Sequence, residues 1–268
     1  MVARVLILGC GYAGAAFARL ARERGAEVLT TVRSEARARA LEAEGFRVLV
    51  APELDGGVAH HVDTQTHVLI AFPPDGTTDA RIAEAVASAA AVTYLSSTSV
   101  YGERSGRIDD TVALPETPSA SETRRLEAEA VHRLYGATTL RCPGIYGPER
   151  GLHRRIIAGQ HRIPGDGSRT LSRIHVEDLA SFIWASRDVK GETFVLGDLE
   201  PAAHIEVVRF VCSSYGVPLP QSVPLSEVPV SLRADRRVDA WRALQALGVT
   251  LRYPSFRQGM APDATRGS

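Results

Sequence analysis

The chain has 268 residues, 44% of them apolar and 23% charged, with 31 basic side chains balanced by 31 acidic ones. Such a composition is globular, and a zero net charge offers no basic face, which argues against nucleic acid and anionic lipid as partners. Three cysteines, Cys10, Cys142 and Cys212, stand far apart in no metal-ligand spacing, so no metal site, no disulfide framework and a reducing, cytoplasmic setting are expected.

Short apolar or β-branched runs alternate with alanine-rich stretches over the first 95 residues. Strands are predicted at 4–8, 27–32, 47–50, 67–72 and 92–95, and helices at 13–24, 35–44 and 78–90. The most apolar stretch, 5–18, is bracketed by Arg4 and Arg19 and broken by glycines, too short to span a bilayer. Strands separated by helices require crossovers, and so a doubly wound parallel sheet covered on both faces, an α/β fold. Ser119, with Glu122 three residues on, makes a capping box for a helix reaching about Tyr135. After a strand at 138–141, residues 143–173 are rich in Gly, Pro and Arg and predict loops around a pocket. A helix at 176–186, a strand at 193–196, an amphipathic helix at 205–215 and a short helix at 238–247 complete the pattern.

Gly9-Cys10-Gly11-Tyr12-Ala13-Gly14 follows the first strand and opens the first helix. Gly9 permits the tight turn, Gly11 lets backbone approach a pyrophosphate, and Gly14 allows close helix packing. The helix start at Tyr12 and Ala13 offers free N–H groups. The motif predicts a Rossmann-type dinucleotide-binding domain over 1–260, with small substrate-region segments at 147–175 and 200–260 and a disordered tail at 261–268.

At the end of the second strand a carboxylate would hold the ribose of NAD, but the sequence reads Thr30-Thr31-Val32-Arg33-Ser34. Arg33 and Ser34 suit a 2′-phosphate instead, so NADP is expected, with NAD as the alternative. Phe72-Pro73-Pro74 lies at the carboxyl edge of the sheet, where Phe72 and Pro73 are expected to pack on the cofactor.

The segment Tyr94-Leu95-Ser96-Ser97-Thr98-Ser99-Val100-Tyr101-Gly102 resembles the strand-five motif of the extended short-chain dehydrogenase/reductases, the NAD(P)-dependent epimerase/dehydratase superfamily. Leu140 to Pro148, Arg173 to Ala180 and Leu251 to Phe256 agree with it in order and spacing. The resemblance places Ser97 where the family keeps the Ser or Thr that hydrogen-bonds the reacting oxygen. It sets Ser96, Pro143 and Ile145 against the cofactor, gives His175 and Asp178 a mainly structural role, and implies a homodimer through the helices at 78–90 and 121–135.

The family's acid/base dyad, Tyr with Lys four residues later, is absent. Ser121 and Arg125 occupy those places, and the single lysine of the chain, Lys190, has Ser186 four residues before it. A serine hydroxyl has no accessible ionisation, while Arg125 stays charged and binds ribose or phosphate without exchanging protons. Tyr101, at the mouth of the strand, reads first as a packing residue of the motif; as the substitute acid it is the best placed tyrosine, with water as the other candidate. Arg150, His153, Arg154, Arg155, Arg169 and Arg173 crowd the expected substrate region and suggest an anionic substrate, with a solvated surface of an arginine-rich chain as the equal alternative. The expected protein is therefore an atypical NAD(P)-dependent oxidoreductase or epimerase for a small, anionic substrate, using a non-standard acid/base. A non-catalytic NAD(P)-binding sensor or regulatory protein is the alternative.

Overall fold

Residues 4–228 and 233–262 are described by the structure, a computed structural model. The first half alternates β1 (Arg4–Leu8), α1 (Tyr12–Glu23), β2 (Glu27–Val32), α2 (Glu35–Ala43), β3 (Arg47–Val50), β4 (Thr66–Ile70), α3 (Thr78–Ala83) and β5 (Ala91–Ser97). After a short β6 (Gly106–Ile108) come α4 (Ala120–Leu134), β7 (Thr138–Cys142), β8 (Gly144–Tyr146), α5 (Leu152–Ile157), β9 (Arg173–His175) and α6 (Val176–Ala185). The chain ends in β10 (Thr193–Val195), α7 (His204–Tyr215), β11 (Arg236–Val238), α8 (Trp241–Leu247) and α9 (Phe256–Gly259).

Seven strands pair in parallel in the order β10-β7-β5-β4-β1-β2-β3. Every residue of β4 and β7 is buried, as expected of strands with helices on both faces. Phe17 of α1, Leu41 of α2 and Phe182 of α6 fill one face; Ile82, Val86, Tyr94 and Ala128 fill the other. A third cluster joins Ile156, Val207, Val208 and Phe256 from α5, α7 and α9. The chain leaves β1 towards β2 on one side, while β4 and β5 lie on the other. In sheets of this kind ligands bind at such a reversal, outside the carboxyl ends of the strands.

Three expectations change. The helix predicted at 78–90 stops at Ala83 and ends in a single 3-10 turn at Glu84–Val86. By Ala90 the backbone must already donate to Thr66 O at 3.0 Å to enter β5, so there is no room for three more helical residues. Within the predicted loops of 143–173 the chain builds β8, α5 and β9, with β8 and β9 paired in parallel. Residues 236–238 form a strand beside β6, and α8 begins only at Trp241. Of the tail expected to be disordered, residues 263–268 lie outside the described residues. No helix among the described residues is long and apolar enough to cross a membrane, and none of their His, Cys, Asp and Glu side chains gather into a metal-binding group.

Candidate active site

Gly9 has φ +83°, and a Cβ there would lie 2.8 Å from Phe72 Cβ and 2.9 Å from Phe72 N. Only glycine lets the β1–α1 turn rest on the exit of β4. Thr31 fixes the turn from β2, its Oγ1 accepting from Gly9 N at 3.0 Å and its carbonyl from Cys10 N at 2.7 Å. Gly14 packs α1 on β1, since a Cβ would come within 3.1 Å of Ile7 Cγ2. Gly11 differs: its φ is −83° and a Cβ would meet nothing within 4 Å. It is the N-cap of α1, which has no side-chain cap and no acidic residue in its first turn. The amides of Tyr12, Ala13 and Gly14 therefore lack helical partners, a fit for a pyrophosphate. The Tyr12 ring turns away, its hydroxyl against Gly147 and Arg150 stacked 5.8 Å from its centre.

Beyond β2, Arg33 is exposed and makes no hydrogen bond or ion pair among the described residues. Ser34 caps α2, its Oγ accepting from Arg37 N at 3.4 Å. Arg37 was not singled out from the sequence, yet its guanidinium lies on the glycine turn. Its Nε donates to Cys10 O at 3.2 Å and its Nη2 to Gly11 O at 3.3 Å. The available signal was its place in the first turn of the helix that Ser34 caps.

On β5 the side chains alternate. Leu95 joins the α1–α6 face, while Tyr94 and Ser96 point to the α4 face. Ser96 Oγ donates to Glu129 Oε1 at 2.5 Å, so its hydroxyl is used inside the molecule. Ser97 ends the strand half-buried, its Oγ accepting from Ser99 N at 3.1 Å and keeping its own proton to donate. It lines a cleft of about 350 Å³ together with Pro143 and Ile145. Pro73 is exposed, whereas the Phe72 ring is buried in the core and meets the glycine turn through its Cβ and backbone.

Tyr101 and Arg125 do not line that cleft. Tyr101 is fully buried; its hydroxyl donates to Asp109 O at 3.2 Å and accepts from Arg141 Nη1 at 3.0 Å. Burial pushes its pKa above the ordinary phenol value, with Arg141 pulling the other way. Arg125 lies on the α4 face near Tyr94 and Cys142, where its charge partly offsets the upward push that burial gives that phenol and thiol. Ser121 is exposed, with its Oγ 3.2 Å from Ser119 Oγ. Neither Ser121 nor Arg125 lines the cleft at Ser97.

His175 caps α6, its Nδ1 accepting from Glu177 N at 3.3 Å, and its ring lies 3.7 Å from that of Tyr253. Asp178 accepts from the backbone N–H groups of Arg252 and Tyr253 at 2.7 and 3.0 Å, tying the last motif to α6. Tyr146 reaches the cleft, but burial drives its phenol pKa far up. The arginines and histidine expected around the substrate do not converge: of that group only Arg173 lines the cleft, joined by Arg236 from β11.

The family model for the NAD-dependent epimerase/dehydratase family matches residues 5–197. The chain belongs to that family. Among solved structures, a functionally unknown conserved protein from Silicibacter pomeroyi is 29% identical, with 96% of each chain covered and a TM-score of 0.83. UDP-glucuronic acid 4-epimerase from Bacillus cereus, in complex with NAD, is 17% identical over 98% of both chains, with a TM-score of 0.79. A human epimerase family protein with NADPH is 16% identical, covering 96% of this chain and 97% of that one, with a TM-score of 0.76. The last two share the fold alone at such identities. No curated protein sequence matches the chain.

Proposed function

We propose that the chain is an NADP-dependent oxidoreductase or epimerase for a small substrate, with Ser97 hydrogen-bonded to the reacting oxygen. The observation that carries this reading is the nearness of two strand ends in the sheet. The open Gly11 turn ends β1, Ser97 ends β5, and only β4 lies between them in the sheet. Gly11, Tyr12, Ala13 and Gly14 would hold the pyrophosphate, Arg33, Ser34 and Arg37 the 2′-phosphate, and Pro73, Pro143 and Ile145 the nicotinamide half. Support comes from the family relatives described with NAD and with NADPH. When bound, the nicotinamide supplies the hydride acceptor or donor.

Ser97 donates its proton as a hydrogen bond and orients the substrate oxygen, since the Ser99 amide already occupies one of its lone pairs. It does not ionise, and the proton exchanged in each turnover passes through water in the cleft. Ser97→Ala is expected to lower kcat by about 10²-fold in carbonyl-reduction assays while leaving NADPH affinity unchanged. Equal kcat in both proteins would remove Ser97 from the reaction. Family likeness adds a homodimer to the proposal, through α3 and α4, the latter exposing Leu134 and Tyr135 at its end, and the scattered cysteines add a reducing, cytoplasmic setting.

One observation favours a second reading, a dinucleotide-binding sensor. Among the described residues, the only ionisable side chains lining the cleft are Tyr146, Arg173 and Arg236, none of which exchanges protons near neutral pH. A sensor would bind NADPH and turn over no substrate.

A further inference from the structure

We infer that the substrate carries an oxyanion, a carboxylate or phosphate monoester, and that Arg173 and Arg236 hold it in the cleft beside Ser97. The inference rests on the cleft being the active site. Among the described lining residues these two arginines are the only charged side chains, and no carboxylate faces them there.

Arg173 is 4% exposed. Its Nη2 donates to Leu171 O at 2.8 Å, and its guanidinium stacks 4.9 Å from the centre of the Phe256 ring. Its Nη1 is buried with no partner. A guanidinium keeps its charge even when desolvated, so an unpaired buried donor on it is costly unless something meets it. The acid acting most strongly on it, Asp198, donates its backbone N–H to Arg173 O at 2.8 Å but makes no side-chain bond to the guanidinium, and burial pushes that carboxyl up to about 7.

Arg236 enters from the other side. Its Nε donates to Arg104 O at 3.1 Å and its Nη1 to Thr98 O at 3.2 Å, while its Nη2 makes no hydrogen bond among the described residues. Ser172 Oγ donates to the Arg236 carbonyl at 3.0 Å and so fixes the strand. Glu122, the acid that acts on it, is already engaged by the Ser119 amide in the capping box. Neither Asp198 nor Glu122 makes a side-chain bond to either guanidinium, and among the described lining residues no carboxylate offsets the two positive charges at the cleft. Because Arg236 is bonded to the residue after Ser97, the oxyanion sits close to the reacting carbon. A cleft of about 350 Å³ lies at the small end of ligand pockets, which calls for a short oxo acid or a small sugar phosphate.

The test is calorimetric titration of the protein, with and without saturating NADP, using pyruvate and dihydroxyacetone phosphate. Methyl pyruvate and dihydroxyacetone serve as the uncharged counterparts. At least one anion should bind about tenfold or more tighter than its uncharged counterpart, and Arg236→Gln should weaken it by about tenfold or more. The acid preferred over the phosphate identifies a carboxylate, and the reverse a phosphate. Arg237→Gln, an exposed neighbour outside the cleft, should bind like the unaltered protein. Arg173→Gln removes the buried partner and is read only if its melting transition is retained; Arg236→Gln, half-buried, carries the test otherwise. No binding of either anion, binding as tight for the uncharged pair, or binding unchanged in Arg236→Gln would overturn the inference. Anion binding that depends on Arg236 in a protein unable to bind NADPH would uphold the arginine pair and overturn the proposed function instead.

Discussion

Arg141 grips Glu129 through two parallel hydrogen bonds, Nε to Oε1 at 3.1 Å and Nη2 to Oε2 at 2.7 Å, with side chains only 7% and 2% exposed. The same pair takes in Ser96 on β5 and Tyr101 beyond it. The end of β5, next to Ser97, is thereby tied to α4 and β7. Breaking one side leaves a buried charge uncompensated, so Glu129→Ala should lower unfolding free energy by roughly 3–5 kcal/mol. Urea denaturation measures it. The double variant Glu129→Leu with Arg141→Met should recover most of the loss, whereas a single-variant loss below about 1 kcal/mol would mean that the pair holds nothing in place.

The two glycines of the turn should separate folding from binding. Gly9→Ala forces a Cβ against Phe72 at a left-handed φ, and should cost on the order of 2 kcal/mol or more of stability. Gly11→Ala meets open space at an ordinary φ, so stability should stay within about 0.5 kcal/mol while NADPH affinity falls at least about tenfold. Thermal melts and calorimetry on both variants check this. A Gly11→Ala protein that binds NADPH as before would place the pyrophosphate elsewhere.

His161 and His204 are buried with their Nε2 atoms 2.8 Å apart and their rings stacked at 4.9 Å. Burial pushes both down to about 4, helped by Arg155, Arg162 and Arg173 around them. Between their ordinary value and about 4 the folded state therefore binds fewer protons than the unfolded one. The pair's stability contribution is complete above about pH 6.5 and is lost as pH falls towards 4. Asp198, pushed up to about 7 by burial, has the opposite slope, losing stability as pH rises from about 4 to 7. Comparison with His161→Phe/His204→Phe isolates the histidines. From pH 7 to pH 5 the unaltered protein should lose roughly 3–4 kcal/mol more than the double variant; equal losses would contradict the assignment.

The sheet was readable because its signals are local. Residues 4–8, 27–32 and 47–50 show themselves as apolar or β-branched runs, the glycine motif by its spacing, and α4 by the Ser119–Glu122 capping box. Helix length at 78–90 was not readable, because Ala90 is drawn out of the helix by a backbone bond to Thr66, a partner 24 residues earlier in the sequence. The same holds for the site. Ser97, Pro143 and Ile145 sit in motifs and meet in one cleft. Arg236 reaches that cleft only because β11 pairs with β6, some 130 residues before it, setting Arg236 opposite Gly106. Nor does any motif show that Ser96 and Tyr101 are spent on Glu129 and Arg141; the direction of a side chain at a strand end depends on what packs across from it.

The central claim, a crevice that binds NADP, is tested most directly by titrating NADPH and NADH in parallel into the unaltered protein, Arg33→Ala and Arg37→Ala. NADPH should bind tighter than NADH by about tenfold or more, with that preference collapsing in one or both variants while NADH affinity changes little. Tighter binding of NADH, or an NADPH preference untouched by both substitutions, would contradict the account.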